Sequence, residues 1–243
     1  MLTILKSEWF KLRKSNIIGI LLAGPLIGIG AGIGADTTEA AGMMNEWYML
    51  LIYMNLPYAV LFLPLITGVL ASLVCRYEHQ AGGWKQLLAL PVTRGKVFAA
   101  KYVLILLLVL FIQLLYLAAI AGAGLYKGIA DPFPAAIVWK SILGGWVAAF
   151  PLVALQLWMS VWFKSFAAPF AVNVVFTLPS ILAMNSEKVG PYYPWAQSFA
   201  MMYPTSDSGD IFFIPWEQLM TVIGGFFLLF YLGGYFYFQR KAV

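Results

Sequence analysis

Several long and almost uncharged stretches of apolar residues recur along this chain of 243 residues. A helix rises about 1.5 Å per residue, so roughly 20 mostly apolar residues are needed to cross a hydrocarbon core of about 30 Å. Six stretches meet this requirement and predict membrane-spanning helices at about 16–35, 47–75, 99–125, 137–162, 166–184 and 218–238. We therefore expect an all-α integral membrane protein with six transmembrane helices in one domain, residues 1–243.

The first apolar stretch follows several basic residues, as does the hydrophobic region of a secretory signal peptide. It runs from Asn16 to Ala35 without a charge, about twice the usual length of such a region. No clear small-x-small cleavage site precedes the next stretch. We interpret the first stretch as an anchor helix that stays in the membrane.

Basic residues are concentrated on one side of the predicted topology. With the amino terminus inside, the inner segments hold twelve of the 15 Lys and Arg residues, and the outer segments hold Lys127, Lys140 and Lys188 with eight of the ten acidic residues. The positive-inside rule therefore places both termini in the cytoplasm. The net charge of +5 indicates contact with anionic lipid headgroups rather than with nucleic acid.

Several kinds of chemistry lack the residues they need. Cys75 and His79 are the only cysteine and the only histidine, so no internal disulfide and no Cys/His metal site is predicted. No phosphate-binding loop of the form G-x-x-x-x-G-K-[ST] occurs, so any ATP hydrolysis belongs to another chain. No charged residue falls well inside a predicted span, which argues against a proton-driven carrier. We predict no catalytic residue and no bound metal.

Polar and small residues inside the predicted spans point to contacts between helices. Asn55, Gln113, Gln156 and Asn173 are interpreted as hydrogen-bonding groups between helices rather than as substrate ligands. The first span carries glycines at overlapping small-xxx-small spacings, which let a second helix approach closely. The alternative is that glycine is simply common in membrane helices.

Residues 185–217 form the longest predicted outer segment. Prolines alternate there with tyrosine and tryptophan, so one long helix is forbidden while the amphipathic rings favour the headgroup level. We expect short helices and turns at the outer interface.

The connection between the second and third spans, residues 76–101, is too polar to cross the membrane. Its apolar residues, Ala81, Trp84, Leu87, Leu88 and Pro91, recur at helical spacing and predict a short amphipathic helix along the inner interface. Pro91 ends this helix, and Thr93 is placed to cap the helix that leads into the third span. A rigid element joined to two spans can transmit force from a bound partner; the alternative is a membrane-surface anchor.

The run E-x-x-x-G-x-W-K-x-L-L-x-L-P-V-T-R, from Glu78 to Arg94 with Lys101 following, resembles the first cytoplasmic loop of permease subunits in type-2 ATP-binding-cassette transporters. LKSEWFKLRKS, from Leu5 to Ser15, resembles the amphipathic elbow helix that precedes the first span in those permeases. Within the family, the chain is most similar to the small permeases of bacterial self-protection against lantibiotics and bacitracin-like peptides.

The resemblance implies a permease whose loop helix, within residues 76–98, docks on a separate nucleotide-binding subunit. The implied contact residues are Glu78, Gly82, Gly83, Trp84, Lys85, Leu88, Pro91 and Arg94. The implied elbow helix, residues 1–15, carries Glu8, Lys11, Arg13 and Lys14. ATP and Mg²⁺ would then bind the partner subunit, and this chain would hold no cofactor and have no enzymatic activity.

It also implies a multi-pass protein of the bacterial plasma membrane in which two permease chains, identical or related, face each other. Export is the implied direction. The apolar interior suits hydrophobic or amphipathic substrates, with antimicrobial peptides and lipids as the leading classes.

Simpler interpretations of the single residues stay open. Glu78 and Arg94 could be solvated charges, Trp84 an interfacial anchor, and Gly82 with Gly83 a helix-starting turn. Glu8, Lys11, Arg13 and Lys14 could either simply flank an anchor helix or pair specifically with the loop segment 76–98. For the whole chain, the alternatives are an ATP-independent channel or carrier and a non-transporting membrane scaffold.

Overall fold

The computed structural model describes residues 2–13, 17–36, 45–80, 83–89, 91–186, 188–204 and 214–241, apart from the side chains of Arg13 and Leu88. These residues form helices and turns, with no β-strand among them. The helices are α1 (Leu2–Arg13), α2 (Ile17–Gly34), α3 (Glu46–Pro57), α4 (Leu63–His79), α5 (Gly83–Leu88), α6 (Arg94–Lys127), α7 (Ala135–Trp162), α8 (Ala167–Thr177), α9 (Ser180–Met184), α10 (Gln197–Met202) and α11 (Trp216–Arg240). A π-helical turn, Tyr58–Phe62, joins α3 to α4.

Six helical stretches are long and apolar enough to cross a membrane: α2, α3 with α4, α6, α7, α8 with α9, and α11. The predicted all-α fold with six spans is confirmed. The second and third spans have 34 residues each, about 51 Å of helix, so they project beyond a hydrocarbon core of about 30 Å. The third begins at Arg94, before the predicted start near 99, because Thr93 Oγ1 accepts the Lys96 N–H and caps the helix ahead of the apolar run.

The spans alternate in direction, so their termini gather at two ends of the bundle. At the basic end lie α1, α5, the starts of α2, α6 and α8, and the ends of α4, α7 and α11; the Arg76 guanidinium there is 6.0 Å from the Phe166 ring centroid. At the acidic end, Lys127 Nζ donates to the Ala35 carbonyl (2.5 Å). That the basic end faces the cytoplasm stays a prediction.

Two prolines shape the second span. Pro57 precedes the π-helical turn, and Pro64 lacks the N–H that would bond the carbonyl of Val60. The Ser180 hydroxyl of α9 lies 3.3 Å from this carbonyl and 2.5 Å from the Thr177 carbonyl, so the two carbonyls share its single proton. The helical path therefore continues from Glu46 to His79.

The glycine face of α2 packs within this chain, against α3 and α6. A Cβ added to Gly28 would lie 2.6 Å from Cε2 of Tyr116, and one added to Gly32 would lie 2.8 Å from Cγ of Met54. Only a hydrogen fits at these two positions. Gly19, by contrast, faces open space.

Polar groups inside the bundle bond between helices, as expected for Asn55, Gln113, Gln156 and Asn173. Three such bonds run from Tyr116 Oη to Asn55 Oδ1 (2.9 Å), from Tyr58 Oη to Gln113 Oε1 (2.8 Å) and from Gln156 Nε2 to Asn173 Oδ1 (2.6 Å). They join the second span to the third and the fourth to the fifth. The close packing of these helices therefore includes specific polar contacts.

The segment between α9 and α11 contains short helices, as predicted, but α10 enters the bundle. It packs against α7, and Phe199 and Met202 are buried. Asn55 Nδ2 donates to the Met202 carbonyl (2.8 Å), so a side chain of the second span satisfies the end of α10. The bundle thus supplies α10 with the apolar and polar partners that the headgroup region was expected to supply, while its position relative to the membrane interface stays a prediction. Residues 205–213 lie outside the described part of the chain.

Candidate functional site

Four charged side chains, Glu8, Lys11, Glu78 and Lys101, meet at the basic end and are here called the charge cluster. Lys101 Nζ lies 2.6 Å from Glu8 Oε2 and 3.1 Å from Glu78 Oε2. Lys11 Nζ lies 2.7 Å from Glu8 Oε1 and 2.6 Å from Glu78 Oε1. Each ammonium group therefore bridges both carboxylates.

Three helices bring these groups together. Glu8 and Lys11 lie one turn apart on α1, so they share one face of that helix. Glu78 stands in the last turn of α4, and Lys101 stands two turns into α6, where its Nζ also donates to the Val74 carbonyl (2.7 Å). The charge cluster thus fastens α1 to the two helices that flank α5.

The charge cluster is electrically balanced and largely removed from solvent. The side chains of Glu8 and Lys101 are each 1% exposed and that of Glu78 is 2% exposed, whereas Lys11 is 30% exposed. Burying charges is costly unless each one is paired and hydrogen-bonded, and removing one partner leaves an uncompensated charge. The four side chains therefore depend on one another for their burial.

Trp84 of α5 lies beside the charge cluster. Its ring centroid is 5.7 Å from Lys101 Nζ, within the range of a cation–π contact. Its Nε1–H donates to His79 Nδ1 (3.3 Å), and His79 Nε2 lies 2.7 Å from the Ser160 carbonyl. Since Nδ1 accepts, the Nε2 of a neutral imidazole carries the proton and donates to Ser160. Trp84 and His79 thereby link α5 to the end of α7.

Arg94, the first residue of α6, binds the carboxyl-terminal end of α11. Its Nη1 donates to the carbonyls of Phe238 (3.3 Å), Gln239 (3.1 Å) and Lys241 (2.6 Å). The Lys241 ammonium in turn donates to the Val161 carbonyl. Burial lowers the pKa of Lys241 below its ordinary value.

Comparison with known proteins identifies the family of this bundle. Residues 4–180 match the family model of the ABC-2 family transporter protein. The chain belongs to the ABC-2 transporter family. No curated protein and no solved structure matched the chain. ABC-2 permeases are the membrane subunits of ATP-binding-cassette transporters and generally work with a separate ATP-binding subunit, so this chain is a transporter membrane subunit rather than the ATPase.

In this ABC-2 permease, only part of the sequence-predicted contact set is available at the surface. Lys85 and Pro91 are exposed. Glu78 and Trp84 are buried, and Arg94 is engaged by α11. Three of the implied contact residues, Glu78, Trp84 and Arg94, therefore form contacts within the chain.

The remaining predicted residues divide into those that the structure describes and those that it does not. Gly83 starts α5 where a Cβ would lie 2.6 Å from the Tyr77 carbonyl oxygen, so a larger residue would force the chain apart. Glu8 and Lys11 belong to the charge cluster. The others, namely Gly82, Lys14 and the side chains of Arg13 and Leu88, lie outside the described part.

Sequence reasoning missed several residues of the site. In the sequence, Lys101 stands out only as the residue that follows the motif, although it is the most buried cation of the charge cluster. His79 stands out in the sequence only as a histidine without a metal partner, and no pattern there points to the end of α11. The available signal was that Glu8 and Glu78 are the only acidic residues on the basic side, so each needs a cation.

A groove of about 480 Å³ opens next to the charge cluster, between α1, α4 and α5. It is lined by Lys11, Tyr77, Glu78, Gln80, Gly83, Gln86 and Leu87. Among the described residues, no three His, Cys, Asp or Glu side chains group as metal ligands would.

Proposed function

We propose that this ABC-2 permease couples ATP hydrolysis by a separate subunit to the export of a hydrophobic or amphipathic substrate. The observation that supports the proposal most strongly is that the α5 segment (residues 83–89 and 91–93) lies between α4 and α6, which buried charges fasten to α1, and that its Trp84 packs beside Lys101 of this charge cluster. A partner that pushes on this segment displaces three helices together.

The surface that we assign to the ATP-binding subunit is the exposed side of the α5 segment. Lys85, Gln86, Ala89 and Pro91 are exposed there, beside the groove between α1 and α5. The buried Trp84 holds the opposite side of α5 against the bundle. This assignment replaces the larger contact set expected from the sequence, since it uses only side chains that a partner can reach.

The proposed substrate class follows from where the charges lie. Within the described residues, the charged side chains of the spans lie within about two turns of a helix end, and the middle of the bundle is apolar with amide and hydroxyl groups. Such an interior favours hydrophobic or amphipathic molecules over ions. Antimicrobial peptides of the lantibiotic or bacitracin type are the substrates we propose, on the sequence resemblance to self-immunity permeases.

The proposed assembly contains two permease chains and two ATP-binding subunits in the bacterial plasma membrane. A twofold arrangement would place the substrate path between the permease chains, and the charge distribution supports placing the basic end in the cytoplasm. ATP and Mg²⁺ would bind the partner subunits.

The test of the docking surface is co-purification with the ATP-binding subunit. We expect the double variant Lys85→Glu, Gln86→Glu to lose most of the bound partner, because it reverses the charge of the exposed side of α5. Lys188→Glu, a charge reversal at an exposed position of the acidic end, is the control and should retain it. Equal retention of the partner by both variants would contradict the docking surface.

The test of the transport activity uses vesicles that contain both subunits, with the lantibiotic nisin as the probe. We expect nisin to stimulate ATP hydrolysis and to be expelled from the vesicle membrane only when both subunits are present. Hydrolysis by the isolated permease, or expulsion that persists without the ATP-binding subunit, would reject the proposed coupling.

A further inference from the structure

We infer that Arg94 is a positioning residue that makes the sixth span, α11, move together with the α5 segment. This inference rests on the proposed function, since the α5 segment must first be moved by a partner. It gives Arg94 a role different from the partner contact that the sequence implied. The evidence is the set of contacts that hold the last turn of α11.

Arg94 satisfies backbone groups that a helix end leaves without partners. The last four carbonyls of a helix have no intrahelical donor, and α11 ends at Arg240. Arg94 Nη1 donates to the carbonyls of Phe238 and Gln239 from this set, and to that of Lys241 just beyond it. A guanidinium at this position also lies at the negative end of the helix dipole, so the attraction is electrostatic as well.

The α5 segment and the start of α6 contact α11 through further side chains. The Trp84 ring lies 5.2 Å from the Phe238 ring, centroid to centroid. Gly95 follows Arg94 directly, and a Cβ there would lie 2.7 Å from the Tyr235 ring, so α6 and α11 approach as closely as a glycine permits. The contact is thus a packed junction with Arg94 at its polar edge.

This junction matters because α11 is otherwise the least enclosed span. Only 17% of its most hydrophobic stretch is buried, compared with 78% for the second span. α11 packs mainly along α7, where Trp158 lies against Gly233 and Gly234. Most of the hydrophobic stretch of α11 is therefore not covered by the chain, and the Arg94 junction is the contact that ties its last turn to the start of α6.

The connection reaches the far end of the bundle. α11 begins at Trp216, at the acidic end, where Leu219 and Ile223 pack with Ala148 and Met201. Movement of the α5 segment at the basic end therefore has a continuous helical path to α10. We assign α11 as the element that carries it.

The first experiment measures the junction in the permease alone, by hydrogen–deuterium exchange in lipid nanodiscs. Arg94→Ala should speed the exchange of the amides of residues 238–241 by about tenfold, since a helix-end cation in a partly buried site has an effect of that order. Arg94→Lys should restore part of the protection, because an ammonium group supplies charge without the planar fork. Lys96→Ala, which removes a neighbouring exposed cation, is the matched control and should leave these amides unchanged. Equal exchange in Arg94→Ala and wild type would overturn the inference.

The second experiment compares the nucleotide-free and ATP-bound states of the complex with its ATP-binding subunit. In the wild type, we expect ATP to change exchange both in the α5 segment and in residues 235–241. In Arg94→Ala, the α5 segment should still respond while the end of α11 no longer does. A response of α11 that is the same with and without Arg94 would overturn the inference. If ATP does not change exchange in the wild-type α5 segment, the proposed coupling to the ATP-binding subunit is rejected. The inference that α11 moves with the α5 segment is then rejected too, even if the first experiment shows that Arg94 protects the end of α11.

Discussion

Replacing Lys101 by methionine tests whether the charge cluster holds the basic end together. Methionine keeps much of the length and volume of the lysine side chain but removes its charge and its hydrogen-bond donors. The substitution deletes the contacts of Nζ with Glu8 (2.6 Å), Glu78 (3.1 Å) and the Val74 carbonyl (2.7 Å). Two carboxylates then remain with Lys11 alone, so one negative charge is left buried without compensation.

The expected cost can be bounded from the burial of these groups. Removing one partner of a buried ion pair typically costs about 3–5 kcal/mol, because the remaining charge keeps its desolvation penalty. The exposures of 1% for Glu8 and 2% for Glu78 place the charge cluster in this class. For a chain of this size, such a loss corresponds to a fall in Tm of roughly 6–20 °C. The double variant Glu8→Gln, Lys101→Met restores neutrality and should recover about 1–3 kcal/mol.

The assay is thermal unfolding of the single, double and wild-type permeases in the same nanodisc lipid. Lys6→Met, which removes an exposed cation from α1, is the matched control and should change stability by less than about 0.5 kcal/mol. Hydrogen exchange of α1 should rise in Lys101→Met, since α1 loses its principal polar attachment to α6. If Lys101→Met is no more destabilising than Lys6→Met, or if the added Glu8→Gln makes it worse, the charge cluster does not fasten these helices as we argue.

Two further substitutions test packing and hydrogen bonding inside the bundle by chemical or thermal unfolding. Gly28→Leu should destabilise the permease by about 1–3 kcal/mol, because its Cβ alone would lie 2.6 Å from Tyr116. Gly19 faces open space, so Gly19→Leu is the control and should be nearly neutral. Equal effects of the two substitutions would refute the close approach of α2. Asn55→Leu should cost about 1–3 kcal/mol by leaving the Tyr116 hydroxyl without its acceptor. The double variant Asn55→Leu, Tyr116→Phe should recover part of this loss, and strict additivity of the two substitutions would argue against the bond.

Hydropathy predicted the six spans because burial in hydrocarbon is a property of each segment by itself. A stretch of about 20 apolar residues must form a helix in a membrane wherever its neighbours lie, since its backbone groups have no other partners there. The Thr93 cap was also predictable, because helix capping depends on residues only a few positions apart in the chain. The ends of the second and third spans were less predictable, since polar residues continue both helices past the apolar core.

The charge cluster was only partly predictable. The sequence predicted that Glu8, Lys11 and Glu78 lie on one side of the membrane, but it gave no distances between their side chains. Glu8 and Lys101 are 93 residues apart in the chain, and Lys11 and Glu78 are 67 apart. Which cation meets which carboxylate depends on how α1, α4 and α6 pack, and periodicity within one helix carries no information on that packing.

The amino-acid sequence by itself determined that this chain is a six-helix membrane protein with a polar, patterned connection between its second and third spans, because those features arise from local solvation and local helix signals. Tertiary structure alone decided that Trp84 and Glu78 face inward, that α10 enters the bundle, and that Arg94 meets a helix end more than 140 residues away. The physical reason is that a side chain at a membrane surface can satisfy its charge with water, lipid or a distant part of the same chain. Only the packed arrangement of the helices selects among the three.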